Sequence, residues 1–193
     1  MAQHAGESKR QSVDRSTKRD EVAASRDDPS SLRDSSVGTL ERIWLKRGNG
    51  GPMDPVDAAV LDVDRGLLGN ANRSRRRQVT IISRERWTEL MNALGADLNP
   101  SARRANLMIS GLDLQGSRGR VLLVGNARLK INGETRPCEQ MDEAFPGLQE
   151  LMRERWGGGV FAEVLEGGEI RIADGVEWEP TGVTLFDQTA TIR

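Results

Sequence analysis

Histidine is almost missing from this chain of 193 residues: its one copy is His4. That removes Ser-His-Asp and Cys-His catalysis, histidine zinc sites and histidine proton shuttles from any folded part beyond the N-terminus. Cysteine is equally scarce. With Cys138 alone there is no internal disulfide, and a reducing cytoplasm is the expected compartment. Tyrosine is absent and aromatic residues make up only 4% of the chain, so the stacking platforms of single-strand nucleic-acid binders are lacking. No apolar run approaches the ~18 residues of a membrane span; Val121-Leu122-Leu123-Val124, the longest run of large aliphatics, is strand-sized. Neither a Gly-Lys-Ser/Thr phosphate loop nor a dinucleotide fingerprint is present.

Lysine is scarce too. Only 4 lysines accompany 24 arginines, a balance that reflects either codon bias or forked recognition of phosphate and carboxylate. Residues 1–36 hold seven basic and seven acidic residues, many serines, and only Val13, Val22 and Leu32 as large aliphatics. Such a segment buries too little apolar surface to offset its ordering entropy, and is expected to be a disordered tail. It has neither the apolar core of a signal peptide nor the acid-poor composition of a transit peptide. Residues 37–193 then carry 21 basic and 22 acidic residues, which argues against bulk polyanion binding. Nucleic acid and membrane are not expected partners. The arginines at 73, 75, 76 and 77 read first as a solvated loop or a non-specific phosphate patch.

What remains reads as short strands: Leu40–Leu45, Val56–Val63, Arg77–Ile82, Asn106–Ser110, Arg120–Val124, Ala127–Ile131, Val160–Leu165, Glu169–Ile172 and Val176–Trp178. Gly125-Asn126 predicts one hairpin turn and Glu166-Gly167-Gly168 another. Ser83 is an N-cap for a helix over Arg84–Leu94, stopped by Gly95. A second helix is expected over Gly147–Trp156. Trp44, Trp87, Trp156 and Trp178 read as core anchors. The pattern predicts a mostly β domain, a closed or partly open β-barrel over residues 37–180 with two or so short helices. A C-terminal extension would follow at 181–193.

Cys138 lies in Arg136-Pro137-Cys138-Glu139-Gln140-Met141, at the exit of the predicted 120–131 hairpin. A soft thiolate with an arginine two residues away suits a site that carries sulfur or binds a soft metal. On an extended backbone positions i and i+2 share a face, so Arg136 would favour the thiolate, and Pro137 would stiffen the loop between them. Glu139, Asp142 and Glu143 read as the acidic start of a helix.

From Gly66 to Trp178 the chain resembles the MOSC family, found at the C-terminus of molybdenum-cofactor sulfurases and as small stand-alone bacterial proteins. The resemblance rests on Arg77-Gln78-Val79, on Pro100-Ser101-Ala102-Arg103-Arg104-Ala105-Asn106-Leu107, and on Gly111-Leu112-Asp113-Leu114. It continues in Arg136-Pro137-Cys138-Glu139-Gln140-Met141 and Val164-Leu165-Glu166-Gly167-Gly168-Glu169-Ile170. It implies a β-barrel with a functional cysteine at Cys138, either a molybdenum ligand or a persulfide carrier. The implied cofactor is the molybdenum cofactor, molybdopterin; pyridoxal phosphate binding is a further association of the family. The implied partners are that cofactor or a sulfur donor, and a redox protein supporting reduction of N-hydroxylated compounds. Arg103, Arg104 and the run Arg75-Arg76-Arg77 would then serve the cofactor's anionic phosphate, Gln78 and Asn106 its pterin edges, and Arg136 would line the cofactor pocket.

Two departures stand out. Gly69-Asn70-Ala71-Asn72 occupies the place of the family's Gly-Asp-x-His, and Ala105 stands where a glutamate often precedes the asparagine. A carboxylate and an imidazole are thus replaced. The second expectation is accordingly a binding module that keeps an anion pocket without chemistry.

Overall fold

The computed structural model describes residues 37–48, 51–71 and 74–180. The expected tail (1–36) and extension (181–193) lie outside the described residues, as do Asn72 and Arg73.

Strand β1 (Gly38–Lys46) opens the domain, and its alternating Ile43 and Leu45 point into a core. It is followed by β2 (Met53–Val56), β3 (Ala58–Asp62), β4 (Gly66–Leu67) and β5 (Val79–Ser83). Then come α1 (Arg84–Leu94), a 3-10 turn (Pro100–Arg103), β6 (Leu107–Ser110), β7 (Val121–Val124) and β8 (Ala127–Glu134). Helices α2 (Gln140–Ala144) and α3 (Leu148–Arg153) precede β9 (Val160–Glu166), β10 (Gly168–Arg171) and β11 (Gly175–Trp178).

Seven strands close a barrel in the order β11-β7-β8-β9-β5-β6-β1, sealed where Gly38 and Thr39 pair with Val176 and Gly175. Neighbours are antiparallel except β5 and β6, which run parallel and are joined across α1. Strand β2 extends the sheet past β1, and β10-β3-β4 form a separate small sheet. Among the described residues, no helix is long and apolar enough to cross a membrane.

The strand alternation builds two cores. On β8, Ala127, Leu129 and Ile131 are fully buried inside the barrel while Arg128 and Lys130 face out. Ile43, Ile81, Leu107, Leu122 and Val160 join that interior. The outer face of the same strands offers Trp44, Ile82 and Met108 to α1, α2 and α3. Helix α1 answers with Trp87, Leu90 and Met91, each worth about 1.5–3 kcal/mol on full burial. Ser83 Oγ accepts the Arg86 N–H at 3.2 Å, and Gly95 ends the helix in the left-handed region at φ +62°. Both ends follow the sequence expectation.

Three expectations need correction. Val56–Val63 is two strands, not one: the chain breaks at Asp57, and β2 and β3 join different sheets. Pro55 has no N–H to donate, which suits the outer edge that β2 occupies. The segments around Gly167 do not form a hairpin. Strand β9 already has β5 and β8 on its two edges, so β10 leaves the barrel and pairs with β3. The crossing is tight enough that a Cβ at Gly167 would sit 2.4 Å from the Leu61 carbonyl oxygen. Finally, the helix expected over Gly147–Trp156 is α3 alone. Arg155 and Trp156 both take positive φ (49° and 55°), and the Gly157 N–H closes the turn on Glu154 O at 2.9 Å.

Candidate functional site

Cys138 is exposed in the loop between β8 and α2. Its carbonyl accepts the Met141 N–H at 2.9 Å, so the start of α2 anchors its backbone. Its Sγ lies 3.9 Å from Gln140 Oε1. The acidic side chains expected at a helix start are there: Asp142 and Glu143 occupy the first turn of α2.

The loop before this thiol is held by a cation from far along the chain. Arg103, at the end of the 3-10 turn, is buried at 6% exposure. Its guanidinium donates to Gly158 O through Nε (2.9 Å) and Nη2 (2.6 Å), and to Thr135 O at 3.3 Å. This clamp ties the residues before Cys138 to the glycine run after α3. The contact is close: a Cβ at Gly158 would fall 1.9 Å from Thr135 O. Burial, and then repulsion from Arg77, push the Arg103 pKa down to about 10, with Cys138 pulling the other way. Arg77 is also lowered, by burial, and again opposed by Cys138. Its guanidinium stands 6.0 Å from the Phe161 ring centroid. Two arginines short of counter-charge therefore share the electrostatic neighbourhood of one accessible thiol.

Arg136 lines a different concavity of about 450 Å³, with Glu134, Pro137 and Arg153. Arg75 and Arg76 are exposed.

A second polar group sits around Asn106, which is 2% exposed. Its Oδ1 accepts from Thr80 N–H (3.2 Å) and Thr80 Oγ1 (3.0 Å). Its Nδ2 donates to Trp44 O (3.2 Å) and Asn70 Oδ1 (3.1 Å). An amide has two N–H donors and two oxygen lone pairs, so the capacity of Asn106 is used within the fold. Asn70 Oδ1 also accepts the Lys46 N–H at 2.8 Å. Gln78 donates to Val63 O and accepts from Val164 N–H, both at 2.6 Å. These amides lock strands together, and Gln78 and Asn70 also form part of the wall of a pocket of about 440 Å³.

Arg104 stands in the left-handed region at φ +60°, a cost of roughly 1–2 kcal/mol for a residue with a Cβ. Its Nη1 donates to Gly51 O at 2.7 Å. Its Nη2, together with Thr135 Oγ1 and Asn70 Nδ2, is buried and lacks a hydrogen-bond partner among the described residues. Buried polar atoms are nearly always paired, with protein, water or ligand; Arg86 Nε is unpaired in the same way among the described residues. Thr80, Thr135 and Phe161 were not singled out from the sequence. The one signal for Thr80 is a hydroxyl inside the otherwise apolar run Val79–Ile82.

Among the described residues no group of three or more His, Cys, Asp or Glu side chains converges on a metal position. A bare ion at Cys138 would find fewer than three such side chains among the described residues, so a thiolate-bound metal that brings ligands of its own suits this site better. The fold and the site thus define a strand barrel with a single accessible thiol, in a loop held by the buried Arg103.

The MOSC domain family model matches residues 53–177, well over half of the chain, and the chain belongs to the MOSC domain family. The family is associated with molybdenum-cofactor binding in general. No curated protein matches this chain. Among solved structures, the YuaD protein from Bacillus subtilis aligns with a TM-score of 0.64 at 20% identity, covering 74% of this chain and 95% of that one. YiiM from Escherichia coli gives 0.58 at 17% identity, over 74% and 70%. YiiM from Geobacillus stearothermophilus gives 0.60 at 16% identity, over 76% and 77%. At these identities the likeness speaks for the fold.

Proposed function

We propose that this protein binds the molybdenum cofactor and that Cys138 supplies the protein's ligand to the metal. The observation that carries the reading is an accessible thiol in a loop whose preceding residues are clamped by the buried Arg103 through the Thr135 and Gly158 carbonyls. The donor set fits the group. Molybdenum bound by dithiolene sulfur takes a thiolate readily, and the cofactor brings the remaining ligands that the protein lacks. Its anionic phosphate matches arginines whose charge is incompletely balanced inside the fold. The unpaired Arg104 Nη2 and Thr135 Oγ1 are further donors for it.

When bound, the cofactor would supply two-electron redox chemistry, of the kind that removes oxygen from N-hydroxylated compounds with a reductant protein as electron source. The chain's own residues bind and orient. Arg103 fixes the Thr135 and Gly158 carbonyls that shape the loop before Cys138. Arg77, held over Phe161, would add positive charge for the cofactor's phosphate. Asn106 and Gln78 hold the strands beneath, and Arg136 with Arg153 forms a basic rim next to the cysteine loop.

The test uses full-length protein from a host that makes the cofactor, comparing wild type with Cys138→Ser. Molybdenum stoichiometric with the wild-type chain and lost from the variant supports the assignment. Cyanolysable sulfur without molybdenum, lost in the variant, replaces it with a persulfide carrier. Molybdenum retained in the variant moves the chain to a binding module whose arginines suffice. Neither element above background on the wild type overturns the reading.

A further inference from the structure

The pocket of about 440 Å³ beside β4 is separate from the thiol. Its wall includes Arg65, Leu67, Gly69, Asn70, Ser74 and Gln78; neither Cys138, Arg77 nor Arg103 is part of it. The Asn70 amide orientation is fixed by its neighbours. Oδ1 accepts two N–H groups, from Lys46 and from the Asn106 amide. A flipped amide would set its N–H donors against those two. The planar group therefore leaves Nδ2 on its other side, and that nitrogen is buried without a partner.

An aspartate would keep the two contacts made by Oδ1 and would present a second, negative oxygen where Nδ2 now stands. The substitution leaves the local framework alone and reverses the sign of the group offered to a ligand. Charges of both signs stand around the same place. Arg65 is on the wall, and the Arg47 guanidinium borders Gly69, where a Cβ would lie 3.5 Å from Nη1. Asp64 is the one carboxylate on the wall; Asp54, nearby, is occupied by Arg47 at 3.0 Å. A cationic or purely apolar ligand would leave the buried amide donor unpaired, which is unfavourable. A ligand oxygen carrying negative charge would pair it, with Ser74 and Arg65 as further donors.

We infer that this pocket is an oxyanion subsite, in which Asn70 Nδ2 donates to a phosphate or carboxylate oxygen and sets the preference for an anionic over a cationic ligand. The subsite stands whether or not Cys138 holds molybdenum, because none of its donors belongs to the cysteine loop.

The experiment titrates the full-length, 15N-labelled protein with inorganic phosphate and, separately, with acetate, with ionic strength held constant by chloride. The Asn70 side-chain amide pair, assigned by its loss in Asn70→Asp, reports on the site. It is expected to shift and saturate with phosphate if the ligand is phosphoryl, or with acetate if it is a carboxylate. Asn70→Asp is expected to weaken binding by about tenfold or more, the scale of one charge-assisted hydrogen bond. Arg65→Gln, at the solvent-facing wall, weakens it less. Cys138→Ser titrates like the wild type, which keeps this result apart from the fate of the molybdenum assignment. An Asn70 pair that stays still under both anions overturns the subsite. So does Asn70→Asp with wild-type affinity, or Cys138→Ser that abolishes binding. Should Asn70→Asp not fold, the pair is assigned by through-bond correlation, and its shift with the Arg65→Gln affinity decides.

Discussion

Asn106→Asp replaces one NH2 by one oxygen in a side chain that is 2% exposed. One oxygen of the new carboxyl keeps the bonds from Thr80 N–H and Oγ1. The other faces Trp44 O and Asn70 Oδ1, which are both acceptors. The ionised form sets a desolvated charge against two oxygens; the protonated form offers one O–H to one of them. The folded protein therefore holds this proton, and the group's folded pKa rises above the value of about 3.9 in the unfolded chain. For a raised pKa, stability is fully present below the unfolded value and is lost as pH climbs toward the folded one. The slope is about 1.4 kcal/mol per pH unit, so between pH 4 and 7 the variant falls about 4 kcal/mol behind the wild type while the proton is retained. That is a large share of the roughly 5–15 kcal/mol that holds a domain together. Urea midpoints at pH 4, 5, 6 and 7, followed by tryptophan fluorescence, measure it. Midpoints of variant and wild type that run parallel across this range would refute the reasoning, since they would mean that water already reaches the Asn106 amide.

Cys138, being exposed, should react with a thiol reagent such as a disulfide chromophore in the native state, one equivalent per chain, without denaturant. Labelling that starts only on unfolding would contradict its placement. Gly158→Ala puts a methyl 1.9 Å from Thr135 O, within 3.3 Å of Arg103 Nη2, and should cost more than about 3 kcal/mol or prevent folding. Gly48→Ala, with nothing within 4 Å, is the matching control and should unfold at the wild-type midpoint.

Much of this barrel was legible in local chemistry. The Ser83 cap and Gly95 stop bracket α1, and Gly125-Asn126 joins β7 to β8, because each of these features is decided within a few residues. The β9–β10 reversal was not legible. Glu166-Gly167-Gly168 shows that the chain turns, but which strand pairs with which depends on edges filled by β5, β8 and β3, and no local signal records that. The site divides in the same way. Cys138, Arg77 and Arg103 are visible as residue types. The sequence favours Arg136 as the thiol's cation because it is two residues away, yet the loop before Cys138 is held by Arg103, delivered by a 3-10 turn from another part of the chain. Asn70 reads in the sequence as a missing carboxylate. Only the structure shows that its Oδ1 accepts from Lys46 and Asn106 and so serves the fold.

The seam between β1 and β11 has a consequence for how the protein is made. Gly38 and Thr39 cannot find Val176 and Gly175 until nearly the whole domain has left the ribosome. Until then β1 and β7 each wait with a bare edge, the kind of surface on which nascent chains associate wrongly. Closure across so long a stretch is slow compared with local hairpins. Synthesis of this barrel thus ends with its decisive pairing still to be made, and a chain cut short before Gly175 would leave the ribosome with that seam open.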